Sequence, residues 1–209
     1  MTNNPPSTRI QPSEYGYPLK LKARYDNLVC ITIGTGIGGG IIVGRELYRG
    51  AHFHAGEFGV MPVGNNGESM HKIASTSGLM ASCRQALALP AEEMPPADVI
   101  FERMATDVHL REAVNDWARY LSRGVYSVIS MFDPGVVLIG GGISEQEKLY
   151  PLLTRHLETF EMWEALQVPI QPCQLGNQAG WAPSGWRSKS STEDNVLRPI
   201  RPASSTQAR

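Results

Sequence analysis

The stretch LVCITIGTGIGGGIIVGRELY, residues 28–48, places the tightest constraint on the fold. Two β-branched runs flank a segment that carries Gly34, Gly36, Gly38, Gly39 and Gly40. Glycine loses the most freedom on ordering and is poor in a helix, so this segment reads as strand, loop, strand. Gly34 to Gly39 also spell G-x-G-x-x-G, the spacing of a dinucleotide loop. That loop requires a helix to open at the glycines, with its N-terminus facing a pyrophosphate. Here the glycines run into GGGIIVGRELYRG, which is strand and turn, and this context argues against dinucleotide binding. Two readings remain. One is a flexible hairpin. The other is a phosphate clamp, in which glycines let backbone N–H groups approach phosphate oxygens and Thr35 adds a hydroxyl donor.

The rest of the chain supplies a sheet and its helices. Asn27 to Ile33 forms the first strand, and Gly40–Val43 and Glu46–Tyr48 form a hairpin about Gly44-Arg45. Met70 to Leu89 reads as a helix. Val108 to Phe132 is a longer one, with Val114, Trp117, Leu121, Val125, Val128 and Phe132 recurring on one face. Asp133-Pro134 ends it, because proline cannot continue a helix and disfavours the helical conformation before it. Val136 to Ile139 is a continuous apolar run, as expected of a parallel strand buried on both faces. Gly140 to Gly142 turn the chain. Ser144 then opens a helix, with Glu147 completing a capping box, and Leu149, Leu152, Leu153, Leu157 and Phe160 form its apolar face. Val168 to Gln171 is the last strand. This order implies a mixed α/β sheet layered by helices.

The 209 residues suit one domain or a domain and a half. A formal charge of −1 argues against nucleic acid or an anionic membrane as the main partner. Cys30, Cys83 and Cys173 are isolated, which favours a reducing, cytoplasmic setting and gives no zinc or disulfide signature. No apolar run reaches the ~18 residues of a membrane span, and the N-terminus lacks the apolar core of a signal peptide. His52, His54 and His71 lack partners at ligand spacing, so no metal site is expected. Residues 1–24 and 181–209 are rich in Pro and Ser and lack apolar periodicity, so both ends are expected to be poorly ordered.

ITIGTGIGGGIIVGRELYRGAHFHAGEFGVM resembles the second phosphate loop and sugar-site segment of the ROK family (repressors, open reading frames, sugar kinases). FDPGVVLIGGGIS resembles the family's adenosine segment, and LGNQAG its closing motif. The resemblance covers residues 25–180. It implies the C-terminal lobe of an actin/hexokinase-like (ribonuclease H-like) nucleotide-binding fold, of an ATP-dependent kinase that makes a sugar 6-phosphate. The Glu-Phe-Gly form without following cysteines is closest in pattern to the zinc-free β-glucoside kinase branch. On this resemblance Thr35, Gly36 and Gly38 hold the β- and γ-phosphates of ATP, with Mg2+ in the complete enzyme. Gly140, Gly141, Gly142, Ile143, Asn177 and Ala179 line the adenosine. Glu57 accepts from sugar hydroxyls, as a carboxylate suits a pyranose diol. His71 stands where the family places a second sugar-contacting glutamate. A homodimer is the assembly the resemblance allows for, and the sugar or β-glucoside is the partner.

The chain also departs from the family pattern. Val60 stands where most members have a histidine, and no cysteine cluster follows it, so structural zinc is not expected. The family's catalytic aspartate lies in an Asn-Asp segment; the corresponding spacing lands near Thr8, in NNPPSTRIQPS, where there is none. The first phosphate loop, Asp-x-Gly-Gly-Thr, is likewise missing, and NQAG meets WAPSGWRS where a small apolar helix should begin. The expectation is one wall of a two-lobed site, inactive alone, with a tail from Trp181 that reads as frame-shifted. The alternative is a non-catalytic sugar- or nucleotide-binding regulator, or a module completed by a partner chain.

Overall fold

The structure, a computed structural model, describes residues 25–173. Five strands form one sheet in the order β3-β2-β1-β4-β5: β1 (Leu28–Ile33), β2 (Ile37–Val43), β3 (Glu46–Tyr48), β4 (Val137–Gly140) and β5 (Ile170–Pro172). β1–β2 and β2–β3 are antiparallel, whereas β4 runs parallel to both β1 and β5. The β2–β3 turn forms at Gly44-Arg45 with φ of 58° and 69°, the double left-handed turn that matches strand twist. Residues just before β1 hold it: Asp26 bonds the Arg45 side chain and backbone, and Asn27 Oδ1 accepts from the Gly44 N–H. Flanking β5, the Pro169 carbonyl accepts from the Val137 N–H (2.9 Å) and the Cys173 N–H donates to the Ile139 carbonyl (2.7 Å). The last two strands fall slightly later than the expected Val136–Ile139 and Val168–Gln171.

Helices cover one face. They are α1 (Met70–Ile73), α2 (Thr76–Leu87), α3 (Ala97–Arg103), α4 (Val108–Phe132), α5 (Leu149–Leu157) and α6 (Trp163–Leu166). The core on that face joins Val29, Ile31, Ile33, Val137 and Ile139 of the sheet to Leu79, Trp117, Leu121, Val128, Leu153 and others from the helices. The opposite face carries a smaller cluster of Leu28, Cys30, Ile42, Val136, Leu138 and Cys173. The alternation along β1 sorts its residues between these two clusters, as period-two geometry requires.

α4 has the expected bounds and lies at the centre of the helical layer. Its start is capped by Asp107, whose Oδ1 accepts from the His109 and Leu110 N–H groups (3.0 and 3.1 Å). At its end Asp133 turns left-handed (φ 42°) ahead of Pro134. Asp107→Ala is expected to cost about 1 kcal/mol through the lost cap, and Asp107→Asn much less. Urea denaturation of the two variants checks this.

Two expectations are corrected. The span 70–89 is two helices, broken at Ala74-Ser75: Ser75 is extended (φ −76°, ψ 172°) and its Oγ accepts from the Gly78 N–H. The buried Ser75 carbonyl takes bonds from the Leu79 N–H and the Trp117 Nε1–H (both 2.9 Å), and these partners hold the break in place. The Ser144–Glu147 capping box does not form. Gly142–Glu145 is a 3-10 turn, the Ser144 Oγ donates to the Gly141 carbonyl (2.7 Å), and the helix begins only at Leu149. The two chain ends expected to be poorly ordered, 1–24 and 181–209, lie outside the described residues, as do Asn177 and Ala179.

Candidate functional site

β1 and β4 are adjacent and parallel, so the loops leaving their C-terminal ends lie side by side. In open α/β sheets ligands bind in the crevice beyond such strand ends. The first loop is Gly34-Thr35-Gly36. It closes on itself through a bond from the Gly34 N–H to the Gly36 carbonyl (2.9 Å), and the Thr76 N–H at the start of α2 donates to the Gly34 carbonyl (2.8 Å). Thr35 is exposed. Among the described residues nothing hydrogen-bonds the Thr35 hydroxyl or the Thr35 and Gly36 amides, so these donors are free to meet a ligand. Gly38 lies within β2, paired with Thr32, so it borders the loop rather than forming it.

The second loop starts at Gly140, which pairs with Thr32. Gly141 follows with φ 89°, ψ 168°, a conformation open in practice only to glycine. A Cβ there would lie 2.1 Å from the Ile33 carbonyl oxygen, so the absent side chain is what lets the two loops touch. The turn beyond is fixed by Tyr150, whose hydroxyl donates to the Ser144 carbonyl (2.7 Å). Burial pushes the Tyr150 phenol up to about 12, with Cys173 adding to the shift, so it stays a donor at neutral pH. Ile143 places its side chain in the core, at 3% exposure. Gly142, just beyond Gly141, is exposed.

Glu57 arrives on a segment laid directly on β2. A Cβ on Gly39 would come within 2.4 Å of both the Cys30 carbonyl oxygen and the Phe58 ring, and one on Gly56 (φ 88°) within 2.7 Å of the Gly39 carbonyl oxygen. The glycine run therefore serves two purposes: Gly34 and Gly36 shape the loop, while Gly39 admits the buried Phe58. Glu57 is half-buried at the head of the turn Phe58–Val60, and its side chain makes no capping bond. It borders an open hollow of about 390 Å³ shared with Tyr48, His52, His54, Met131 and Phe132. Tyr48 and Met131 come from segments far apart in sequence, and no local pattern connects them to this place.

His71 lies against the first glycine loop. Its Nδ1 accepts from the Ile37 N–H (3.3 Å), and its ring covers Gly36. A Cβ on Gly59, two residues after Glu57, would lie 3.3 Å from the His71 Cβ, so the histidine occupies the seam between the Gly34–Gly36 loop and the Glu57 segment. Among the described residues, no group of three or more His, Cys, Asp or Glu side chains is arranged to hold a metal ion. The three cysteines are buried and form no disulfide, and burial pushes the Cys83 thiol up to about 11, away from nucleophilic use at neutral pH. No described helix is long and apolar enough to cross a membrane.

Comparison with known proteins bears on this arrangement. The β-glucoside kinase of Listeria monocytogenes serovar 1/2a (strain ATCC BAA-679 / EGD-e) is 33% identical over 161 residues, 74% of this chain and 54% of that protein. The chain thus spans about half the length of the curated relative it matches. Among solved structures, Lmo2764 from Listeria monocytogenes superposes with a TM-score of 0.67 at 30% identity, covering 78% of this chain and 57% of that one. A ROK family glucokinase from Streptomyces griseus, in complex with glucose and AMPPNP, superposes with a TM-score of 0.62 at 27% identity, covering 75% of this chain and 58% of that one. These neighbours have the actin/hexokinase-like fold. The sequence model described as "ROK family" matches residues 9–183, a span that takes in both loops, Glu57 and His71, and the chain belongs to that family.

Proposed function

We propose that this chain is the nucleotide-holding lobe of an ATP-dependent sugar kinase of the β-glucoside kinase kind, which transfers the γ-phosphoryl group to a sugar 6-hydroxyl. The observation that carries this reading is the contact of the Gly34–Gly36 loop with the Gly140–Gly142 turn, through Gly141 and the Ile33 carbonyl. Two glycine loops held together at parallel strand ends suit a triphosphate and its nucleoside. Phosphoryl transfer asks little covalent chemistry of the protein and depends on positioning and charge stabilisation. Thr35 and the loop amides, with Gly38 at the border, would receive the β- and γ-phosphates. Gly140–Gly142, Ile143, Asn177 and Ala179 would receive the adenosine. On this reading Mg2+ enters with the nucleotide, whose phosphates supply its ligands. Glu57 accepts from ring hydroxyls and holds the sugar; it is not the base for the attacking hydroxyl.

A base for that hydroxyl is required, and the reading assigns it to a second lobe facing these loops. The isolated chain is therefore expected to bind MgATP and to show no sugar-dependent ADP formation in a coupled assay. Turnover at ordinary kinase rates would overturn the need for a second lobe, and failure to bind MgATP by titration calorimetry would overturn the nucleotide assignment. Glu57→Gln is expected to weaken binding of methyl β-glucoside about tenfold or more, the scale of one hydrogen bond to a charged group, while leaving MgATP affinity unchanged.

A further inference from the structure

The geometry points to His71 as a positioning residue that holds the Gly34–Ile37 loop ready for phosphate; this rests on the phosphate reading of that loop. Ile37 is the residue at which the loop closes into the sheet, paired with Ile33. Its N–H is taken by His71 Nδ1 (3.3 Å), which places the ring proton on Nε2 and leaves the Thr35 and Gly36 amides as the loop's donors. The ring also fills the space a side chain on Gly36 would need, since a Cβ there would lie 2.1 Å from His71 Cε1 and 2.6 Å from Nδ1. Gly36 and His71 are thus fitted to one another.

The histidine is itself anchored. Met70, its neighbour in α1, is fully buried against Gly124 of α4, where a Cβ would come within 2.5 Å of the Met70 sulfur. The Met70 N–H donates to the Met61 carbonyl (2.7 Å), and Ser69 caps the turn by accepting from the Lys72 N–H (3.3 Å). Glycine inside a helix is destabilising relative to alanine; here it lets α1 approach closely enough for His71 to reach the loop. The loop's other end is held by the same stretch of chain, through the Thr76 N–H on the Gly34 carbonyl. Both ends of the loop are therefore set by residues 70–76 before a ligand arrives, which lowers the ordering cost of binding.

The test uses the full chain, comparing His71→Asn with His71→Gln. Asparagine carries an acceptor oxygen near the place of Nδ1; glutamine carries one near Nε2 and is the better helix former. A merely structural role favours glutamine, whereas the bond to Ile37 favours asparagine. Two readouts are taken: hydrogen exchange of the Ile37 amide by NMR, and MgATP affinity by titration calorimetry. The expected result is Ile37 exchange about tenfold faster in His71→Gln, with MgATP affinity about tenfold weaker, the scale of one net hydrogen bond. His71→Asn stays within about threefold of wild type on both. Gly36→Ala, which displaces the ring with the histidine intact, should reproduce the fast Ile37 exchange even if a His71 variant fails to fold. Equal Ile37 exchange in wild type, His71→Gln and Gly36→Ala overturns the bond. A split in exchange with equal MgATP affinities overturns the positioning role. A split in exchange in a wild-type chain that does not bind MgATP leaves the bond standing and overturns the phosphate reading instead.

Discussion

Trp117→Ala is expected to lower stability by about 4 kcal/mol, from the cavity left by a fully buried indole. That is a large share of the ~5–15 kcal/mol that holds a domain together. Trp117 packs edge-on to Phe101 (6.3 Å between centroids, 81° between planes), and its Nε1–H supports the Ser75 carbonyl at the break between α1 and α2. Trp117→Phe keeps most of the ring volume and loses the donor. Because the Leu79 N–H still bonds Ser75, the lost indole bond should cost only about 1 kcal/mol. The measurement is the denaturation midpoint of the three proteins. Equal losses in the two variants would mean that the hydrogen bond, not the packing, holds the α1–α2 corner. Since Thr76 at that corner bonds Gly34, Trp117→Ala should also loosen the Gly34–Gly36 loop.

The second large effect is expected at Gly141. An alanine there faces a backbone conformation strained by about 1–3 kcal/mol and an overpacking cost of similar size. Its Cβ would meet the Ile33 carbonyl oxygen at 2.1 Å, and a backbone atom in a sheet cannot swing aside as a side chain end can. The expected loss is about 4 kcal/mol, together with separation of the two loops and, on the proposed nucleotide reading, loss of MgATP affinity. Gly67→Ala is the control: its φ is also positive (82°), but nothing lies within 4 Å of its Cβ. It should cost only about 1 kcal/mol. If both variants lose the same amount, conformational strain alone explains Gly141 and the contact with Ile33 is unimportant.

Where side chains report their own local preferences, the sequence was a good guide. α4 could be read to its last residue because its apolar face repeats at helical spacing and Asp133-Pro134 cannot extend it. The β2–β3 hairpin was legible at Gly44-Arg45 for a similar reason: only a few residue pairs make that turn. Hydroxyl side chains were the main source of error. Ser75 and Ser144 can each cap a helix or satisfy a nearby backbone group, and the choice was made for Ser75 by the distant Trp117 indole and for Ser144 by its neighbours, the Gly141 carbonyl and Tyr150. The short helix Ala97–Arg103, set behind Pro95-Pro96, offers too few turns for a period to emerge.

The candidate site was half legible. Glycines announced that something comes close, without saying what: Phe58 at Gly39, the Ile33 carbonyl at Gly141, and the His71 ring at Gly36. Each of these pairs spans a long stretch of chain, so only the fold matches them. His71 could be noted from the resemblance as a departure from a glutamate, but its bond to Ile37 depends on Met70 seating α1 against Gly124. No local motif encodes that.

The pairing of β5 with β4 bears on self-association. Residues 169 and 173 direct their backbone groups toward β4, so by the alternation of a strand Pro172 faces outward. Its missing N–H costs the sheet nothing, because that donor would have pointed away from it. Among the described residues β5 is the sheet's edge, where another molecule would meet a proline at a position that strand-to-strand pairing needs as a donor. Among the described residues β3, at the other edge, is only three residues long. Among the described residues, edges made of a proline on one side and a stub on the other are a poor template for growth into fibrils.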